Sequence, residues 1–470
     1  PASLRKPTMR PELPSPSSSL SYWHRTTRAF PYLNSNSHEN VPSSARYVII
    51  GSGVSGALTA WKLIESGVPG RDIVILEARE AVGGATGRNA GHVRPDAFRG
   101  FPHFAALHGP EQALQILQNE RVVLENIKNF VTENGVECEF QAFSTVEVCL
   151  SQSYAALLAE TLESYRAAGG DDSHIKFHEA EEARELTRVP GAVCAYEWPA
   201  GSNHPGKLCQ WILSDVIKKG ARLWTHCPAT KVIAHDGQGS SQLRWDVHTP
   251  RGVISTETVV HCTNAYAGYL LPHLADFIIP RRSQVHAFVP TQAFSGANIA
   301  KSSISLRYGL HNFFSFNPLR NGTIIIGGTG VRNAEDFNPD ALKRWTTFDD
   351  SGYEAALAAN STREFLDLSS AGSPARPALR RGEGLDHAWT GILGMTPDSV
   401  PFIGQLEGLD GQWICAGFNG HGMARIFTCA PGLVKLMAGE PWEATGLPKC
   451  FQFTQERINK FNKPKPESHL

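Results

Sequence analysis

Residues 47–56 read Tyr-Val-Ile-Ile-Gly-Ser-Gly-Val-Ser-Gly, and no other stretch constrains the fold of this chain as tightly. A short apolar, β-prone run ends in Gly51, Gly53 and Gly56. A helical pattern follows from Ala57 to about Ser66. Residues 72–77, Asp-Ile-Val-Ile-Leu-Glu, then read as a second buried strand that ends in an acid. Gly51 permits a tight turn, Gly53 lets the backbone approach a pyrophosphate, and Gly56 lets the helix pack closely on the sheet. The helix start offers N–H groups and a partial positive charge to phosphates. Glu77 stands about 20 residues past Gly56, where a carboxylate can accept ribose hydroxyls. Bracketed in this way, the pattern points to an adenine dinucleotide. The plain alternative is a glycine-rich turn in an ordinary α/β domain.

A chain of 470 residues is too long for one compact core, so two domains are expected. The net charge of −1 gives no electrostatic case for nucleic acid or for an anionic membrane surface. No apolar run is long and dry enough to span a bilayer; the nearest, 47–64, is broken by the glycines. The nine cysteines are scattered, odd in number and without a Cys-x-x-Cys pair. That argues against a disulfide framework, a zinc knuckle or a dithiol site, and no metal is expected. Residues 1–45 are rich in Pro, Ser and Asn and cannot build a core of their own. Their aromatics, Tyr22, Trp23, Phe30 and Tyr32, place the segment across the folded body. The final Ser468-His469-Leu470 is similar to the peroxisomal Ser-Lys-Leu address, so a peroxisomal or cytoplasmic location is expected.

Hydrophobic periodicity predicts helices over 110–135, 154–168, 179–186 and 207–218. Strands are read at 141–150, 221–224 and 232–233, with a hairpin of 243–249 and 252–256 around Pro250-Arg-Gly252 and a buried strand at 259–264. Residues 284–290, 303–307, 312–317 and 323–327 read as successive strands of a mainly antiparallel sheet. Helix returns over 340–370. A strand at 413–416 then runs into Gly417-Phe-Asn-Gly-His-Gly422 and a helix to about Met437. The expected architecture is α/β: a Rossmann-like dinucleotide-binding domain with an inserted, mainly antiparallel β-sheet substrate domain (α+β). Its pieces are 46–100, 205–280 and 375–440 for the first and 101–204 and 281–374 for the second. An N-terminal extension (1–45) and a C-terminal tail (441–470) flank them.

The chain resembles the D-amino-acid oxidase and glycine/sarcosine oxidase group of flavoproteins, in its amine-oxidising branch. The resemblance spans about residues 45–440. It rests on the glycine turn, Glu77, residues 83–94 with their Thr-Gly-Arg-Asn-x-Gly-His core, and residues 260–265, 395–404 and 417–422. It implies FAD. The pyrophosphate would lie on Gly51, Ser52, Gly53, Val54, Ser55 and Gly56, and the ribose on Glu77, Ala78 and Arg79. Gly84, Ala85, Thr86, Arg88, Asn89, Gly91, His92 and Val93 would pass beside the flavin. Lys231 and Val232 would meet the adenine through their backbone, and Thr263 and Asn264 would close the pyrophosphate region. Gly391, Gly417, Phe418, Asn419, Gly420, His421, Gly422 and Met423 would frame the flavin's pyrimidine edge, where a helix start stabilises an anion.

Two departures from the family pattern follow. The position where the sarcosine branch attaches flavin through cysteine falls on Gly391, and His92 is out of register for a histidine linkage, so non-covalent FAD is expected. The stretch 312–327 also lacks the lysine that helps that branch activate oxygen.

Arg94, His421 and His92 are the candidate catalytic residues, with Arg94 placed to hold flavin or a substrate carboxylate. The candidate substrate pocket is Tyr266, His286, Tyr308, His311, Phe314 and Trp389, whose aromatic walls would exclude water. Each of these six also fits an ordinary core role. The implied reaction oxidises an amine or amino-acid C–N bond. Hydride moves to flavin N5, an imine forms, and O2 as acceptor becomes H2O2, with the chemistry carried by the cofactor. An FAD dehydrogenase, a natural-product tailoring oxidase and a non-catalytic flavin-binding protein stay open as alternatives.

Overall fold

The computed structural model describes residues 9–236, 242–333, 345–370 and 378–462. Ser44–Ile50 forms the central strand of the first sheet, and Ile73–Leu76 lies beside it in parallel, with Ile50 opposite Leu76. Gly252–His261 flanks the other side, also parallel, with Ile50 opposite His261. Ile73–Leu76 is buried throughout and Ser44–Ile50 is buried over Val48–Ile50, as parallel sheets require, which is why both read as Val/Ile runs. Gln412–Ala416 and Phe402–Gln405 extend the sheet on one side and Arg222–Trp224 on the other. The strand order reverses direction at Ser44–Ile50, so a crevice opens at the carboxyl ends of Ser44–Ile50, Ile73–Leu76 and Gly252–His261. The helix Val54–Glu65 packs on this sheet through Gly56, where any Cβ would overlap the Gly51 carbonyl oxygen.

The second sheet is mainly antiparallel. Its path runs Gly384–Met395, Ile279–Val289, Ile324–Gly328, Phe313–Pro318, Ser303–Arg307, Gln141–Cys149, Cys194–Ser202 and His92–Val93. Two long strands here are absent from the sequence reading. Cys194–Ser202 pairs with Gln141–Cys149 along its whole length, although Pro199 and Gly201 punctuate it as if it were a loop. Gly384–Met395 pairs with Ile279–Val289 and carries glycines for a steric reason. A Cβ at Gly391 would lie 2.9 Å from Arg88 Cβ, and one at Gly394 would lie 2.9 Å from the Ala265 nitrogen. The architecture is therefore the expected Rossmann-like α/β fold with a second, mainly antiparallel sheet.

The expected 243–249/252–256 hairpin is present, with Thr249 opposite Gly252, but the second arm continues without a break into the strand expected at 259–264. Of the helix expected over 340–370, Ala355–Ser369 is helical, and residues 334–344 lie outside the described residues. So do Ser468, His469 and Leu470. Among the described residues no helix is long and apolar enough to cross a membrane.

Buried histidines tie distant segments of this body together. His24 Nε2 bonds the Val82 carbonyl at 3.0 Å, His204 Nε2 meets Thr26 Oγ1 at 2.9 Å, and His261 Nε2 meets Gln412 Oε1 at 2.8 Å. Burial pushes all three down to about 4 from 6.5. Between those values the unfolded chain binds protons that the folded one refuses, so stability is complete above pH 6.5 and falls as the pH drops toward 4. Each group contributes a slope of about 1.4 kcal/mol per pH unit. Urea unfolding followed from pH 7.5 to 4.5 is expected to show a steep loss below 6.5; a flat profile would contradict neutral burial of these rings.

Candidate active site

The crevice at the carboxyl edge of the first sheet is a cleft of ≈ 320 Å³. Gly51 turns the chain there with φ +115°, and its N–H donates to the Leu76 carbonyl at 2.8 Å. Gly53 has only Thr86 Oγ1 near the place of a Cβ and otherwise faces the cleft. Val54 and Ser55, the first turn of the helix, complete this wall, and Val54 N–H donates to Thr86 Oγ1 at 3.0 Å. Glu77, Ala78 and Arg79 line the next part. Glu77 is buried and prealigned: it accepts from Ser52 N–H (3.1 Å), Ser52 Oγ (2.6 Å) and Arg79 N–H (3.0 Å).

Gly84, Ala85, Thr86, Arg88 and Asn89 form one flank, and Thr263, Asn264, Tyr266 and Gly391 another. Phe418, Gly420, Gly422 and Met423 close the far end. The early glycine turn and the late Asn-Gly-His loop thus border a single cleft. Thr263 Oγ1 and the Tyr266 hydroxyl are buried at its wall without a hydrogen-bond partner. Two unpaired hydroxyls, a phosphate-ready helix start and an oriented carboxylate fit the polar groups of an adenine dinucleotide.

Several expected cofactor contacts lie one layer back. Ser52 is fully buried behind the cleft, where it orients Glu77 and takes Val82 N–H at 2.9 Å. Gly56 is the packing contact with Gly51. Gly417 and Asn419 shape the late loop: Asn419 Oδ1 accepts Thr396 N–H at 2.7 Å, and a Gly417 Cβ would meet Thr396 Cγ2 at 2.8 Å. Gly91 packs on Trp23 and Val93 is buried in the core. Lys231 is exposed and neither it nor Val232 reaches the cleft; Pro228 and Ala229, just before the strand, take that wall.

A second cavity of ≈ 230 Å³ adjoins the cleft, and Gly420 and Met423 line both. His92, Arg94 and His421 face it, together with Arg99, Trp198, Arg307, Phe313 and Ser315, which sequence reasoning missed. At its back Glu147, 1% exposed, accepts from Arg94 (2.9 Å), Arg99 (2.9 Å) and Tyr154 (2.6 Å), with Arg307 Nε 3.5 Å away. Burial opposes its ionisation, but Arg307, Arg99 and Arg94 hold it at about 2. Arg99 also reaches Asp96 at 3.3 Å. Three guanidinium groups therefore face two carboxylates, which leaves one positive charge in excess. His92 is neutral, pushed down to about 3 by burial and by Arg94, and bonds Ser315 Oγ at 2.7 Å. His421 Nδ1 stands 3.6 Å from Glu120, a buried carboxylate already paired with Arg425 at 2.9 Å.

Of the six aromatic pocket candidates, Tyr266 alone lines the cleft or the cavity beside it. Side chains alternate along a strand, and the alternation puts Phe313 and Ser315 at the cavity while Phe314 enters the opposite core. The same parity turns Ser283 and Val285 to the cleft and His286 away from it. Tyr308 bonds Glu364 at 3.1 Å behind the sheet, and His311 is exposed on a turn. Trp389 is fully buried and donates to the Arg88 carbonyl at 2.8 Å.

Known proteins share the sequence pattern and the fold of this chain. The family model for FAD dependent oxidoreductases (DAO) matches residues 46–438. Gamma-glutamylputrescine oxidoreductase of Escherichia coli is 22% identical over 404 residues, covering 83% of this chain and 83% of that protein. Glycine oxidase of Pseudomonas aeruginosa is 24% identical over 403 residues, covering 84% of this chain and 95% of that protein. Among solved structures, L-amino acid deaminase from Proteus vulgaris superposes with a TM-score of 0.64 at 18% identity, covering 88% of this chain and 94% of that one. That last likeness is one of fold.

The arginine cluster makes a direct stability prediction. Glu147→Gln leaves its guanidinium groups around a neutral amide and is expected to cost about 3–5 kcal/mol in urea unfolding. A loss under 1 kcal/mol would show that the three arginines do not depend on this carboxylate.

Proposed function

The chain belongs to the DAO family of FAD-dependent oxidoreductases and acts on an amine or amino acid; from that premise we propose that its substrate is an amino acid or N-substituted amino acid held by its carboxylate in the arginine-lined cavity. The observation that carries this reading is the unbalanced positive charge of Arg94, Arg99 and Arg307 beside the cleft. Arg307 lines this cavity, and its Nε, 3.5 Å from Glu147, makes an ion pair but no hydrogen bond. Glu147 holds the guanidinium groups in place so that binding requires little reordering.

In this reading the carboxylate docks on Arg307 and Arg94, and the α-carbon points toward the shared wall at Gly420 and Met423. Phe313 and Trp198 exclude water from the apolar part of the substrate. His92, neutral and bonded to Ser315, adds no charge that would compete for the carboxylate. Bound FAD would supply the hydride acceptor, and with O2 as the final oxidant the two electrons would leave as H2O2. The imine product hydrolyses in water without help from the chain. The helix that begins beside Gly422 directs its positive end to the cleft, where it favours a group that gains negative charge. We infer non-covalent attachment because Gly391 brings no side chain to the cleft. A second reading, a dehydrogenase that uses another electron acceptor, draws on the cations of this cavity being arginines.

Four measurements test the proposal. Anaerobic bleaching of the bound flavin by D- and L-amino acids, N-methyl amino acids and polyamines is expected with carboxylate-bearing amines and not with polyamines. Arg307→Met is expected to raise KM for such a substrate by roughly 10–100-fold, the worth of a charged hydrogen bond, with a smaller change in kcat; an unchanged KM removes Arg307 from substrate binding. Acid precipitation should leave yellow cofactor in the supernatant. Peroxide formed in air separates the oxidase from the dehydrogenase.

A further inference from the structure

The cofactor cleft has a wall from outside the matched region. Leu13 and Pro14 line it together with the glycine turn and Glu77. The residues that follow are bonded to the loop that forms the neighbouring flank. Arg79 donates to the Ser15 carbonyl at 3.4 Å. Arg88 donates to Ser18 Oγ at 2.6 Å and to the Ser19 carbonyl at 2.8 Å. Ser21 Oγ donates to the Gly87 carbonyl, Trp23 Nε1 to the Asn89 carbonyl at 2.6 Å, and His24 bonds the Val82 carbonyl.

This contact has no slack. A Cβ at Gly87 would overlap the His24 ring, and one at Gly91 would lie 2.9 Å from the Trp23 ring. Trp23 itself is fully buried. The short helix Tyr22–Arg25 that carries it is too small to persist alone, so the segment is ordered by this docking.

We propose that residues 13–24 are a cofactor clasp: Leu13 and Pro14 finish the cleft wall, Ser18, Ser21 and Trp23 pin the 82–91 loop against it, and FAD enters and leaves when this segment lifts. The inference rests on FAD as the family's cofactor and is independent of the substrate reading. The segment adds residues to a binding site whose recognisable motifs all lie beyond residue 46.

The test is the rate at which FAD leaves the holoenzyme, read from the rise of free-flavin fluorescence on dilution. Trp23→Phe keeps an aromatic ring on the segment but removes both the bond to Asn89 and the outer ring that packs on Gly91. The double variant Leu13→Gly, Pro14→Gly leaves the Trp23 anchor intact and removes the wall. Release is expected to be about tenfold faster in either, the worth of one buried hydrogen bond or a comparable apolar contact. Urea unfolding of the flavin-free proteins separates this effect from a general loss of stability. Limited proteolysis supplies a second readout: FAD should slow cleavage within residues 9–30 relative to the flavin-free chain. Parental release rates in both variants overturn the clasp, as does cleavage indifferent to FAD. Parent protein that takes up no FAD overturns the family's cofactor assignment along with it, whereas failure of the amine panel leaves the clasp standing.

Discussion

A single side-chain oxygen joins the two ends of the cleft. Asn264 Oδ1 accepts from Gly417 N–H at 3.0 Å and from Phe418 N–H at 3.2 Å. Asn264 follows the strand that ends at His261 beside the glycine turn, and Gly417 opens the loop that leaves the neighbouring strand. Its backbone sits at φ +44°, a conformation asparagine tolerates better than other side-chain-bearing residues. Gly394 has to be a glycine beside it, because a Cβ there would lie 2.8 Å from the same oxygen. Without this contact the motifs near residues 51 and 420 would be two loops; with it they border one space.

The two cavities that meet at Gly420 and Met423 divide their chemistry by charge. In the cleft Arg79 and Arg88 are spoken for by Asp350, by carbonyl oxygens and by the N-terminal serines. In the smaller cavity three arginines share Glu147, and only Arg99 has a second carboxylate, Asp96. A buried ion pair is weak evidence for stability, since hydrophobic replacements are often equal or better. Its retention here is easier to understand as preorganisation: Glu147 fixes cations that would otherwise need solvent, in a place where a ligand carboxylate can replace that solvent.

The glycine turn was readable because each of its constraints is local: a positive φ, a close carbonyl, an open approach. Glu77 was readable for the same reason. Parity along the second sheet was not. Ser303–Arg307 is buried at every position, with a core on one side and a cavity on the other, so no polar/apolar alternation marks which residues face the site. Sequence pattern therefore points to Phe314 and His286, whereas Phe313 and Val285 face the cavities. Arg307 ends that same strand, and its place beside the cavity shows only once Gln141–Cys149 brings Glu147 alongside in parallel register. Lys231 and Val232 stand just past Pro228 and Ala229, because the cleft wall is made by the chain entering the strand rather than by the strand. The strand Cys194–Ser202 was hidden by a proline and a glycine that a covered sheet tolerates.

The N-terminal segment shows how a composition that cannot fold alone still acquires one structure. Its serines and prolines bury little, yet Tyr22, Trp23 and Leu33 are almost entirely removed from solvent. Asp350 explains why the segment docks where it does. Its carboxylate, 0% exposed, accepts Arg79 from the cofactor loop, while its backbone carbonyl accepts Ser19 N–H at 2.7 Å and Thr390 Oγ1 at 3.1 Å. One residue thus meets the segment, the first sheet's loop and the second sheet's long strand. A buried carboxylate is stable only while its cations stay in place, so Asp350 depends on Arg79 and Arg88 being held. Arg88, pulled down to about 10 by burial and by Arg79, is held in turn by Ser18 and Ser19. The order of the N-terminal segment and the packing of this ion-pair cluster are therefore linked, because the same arginines hold both.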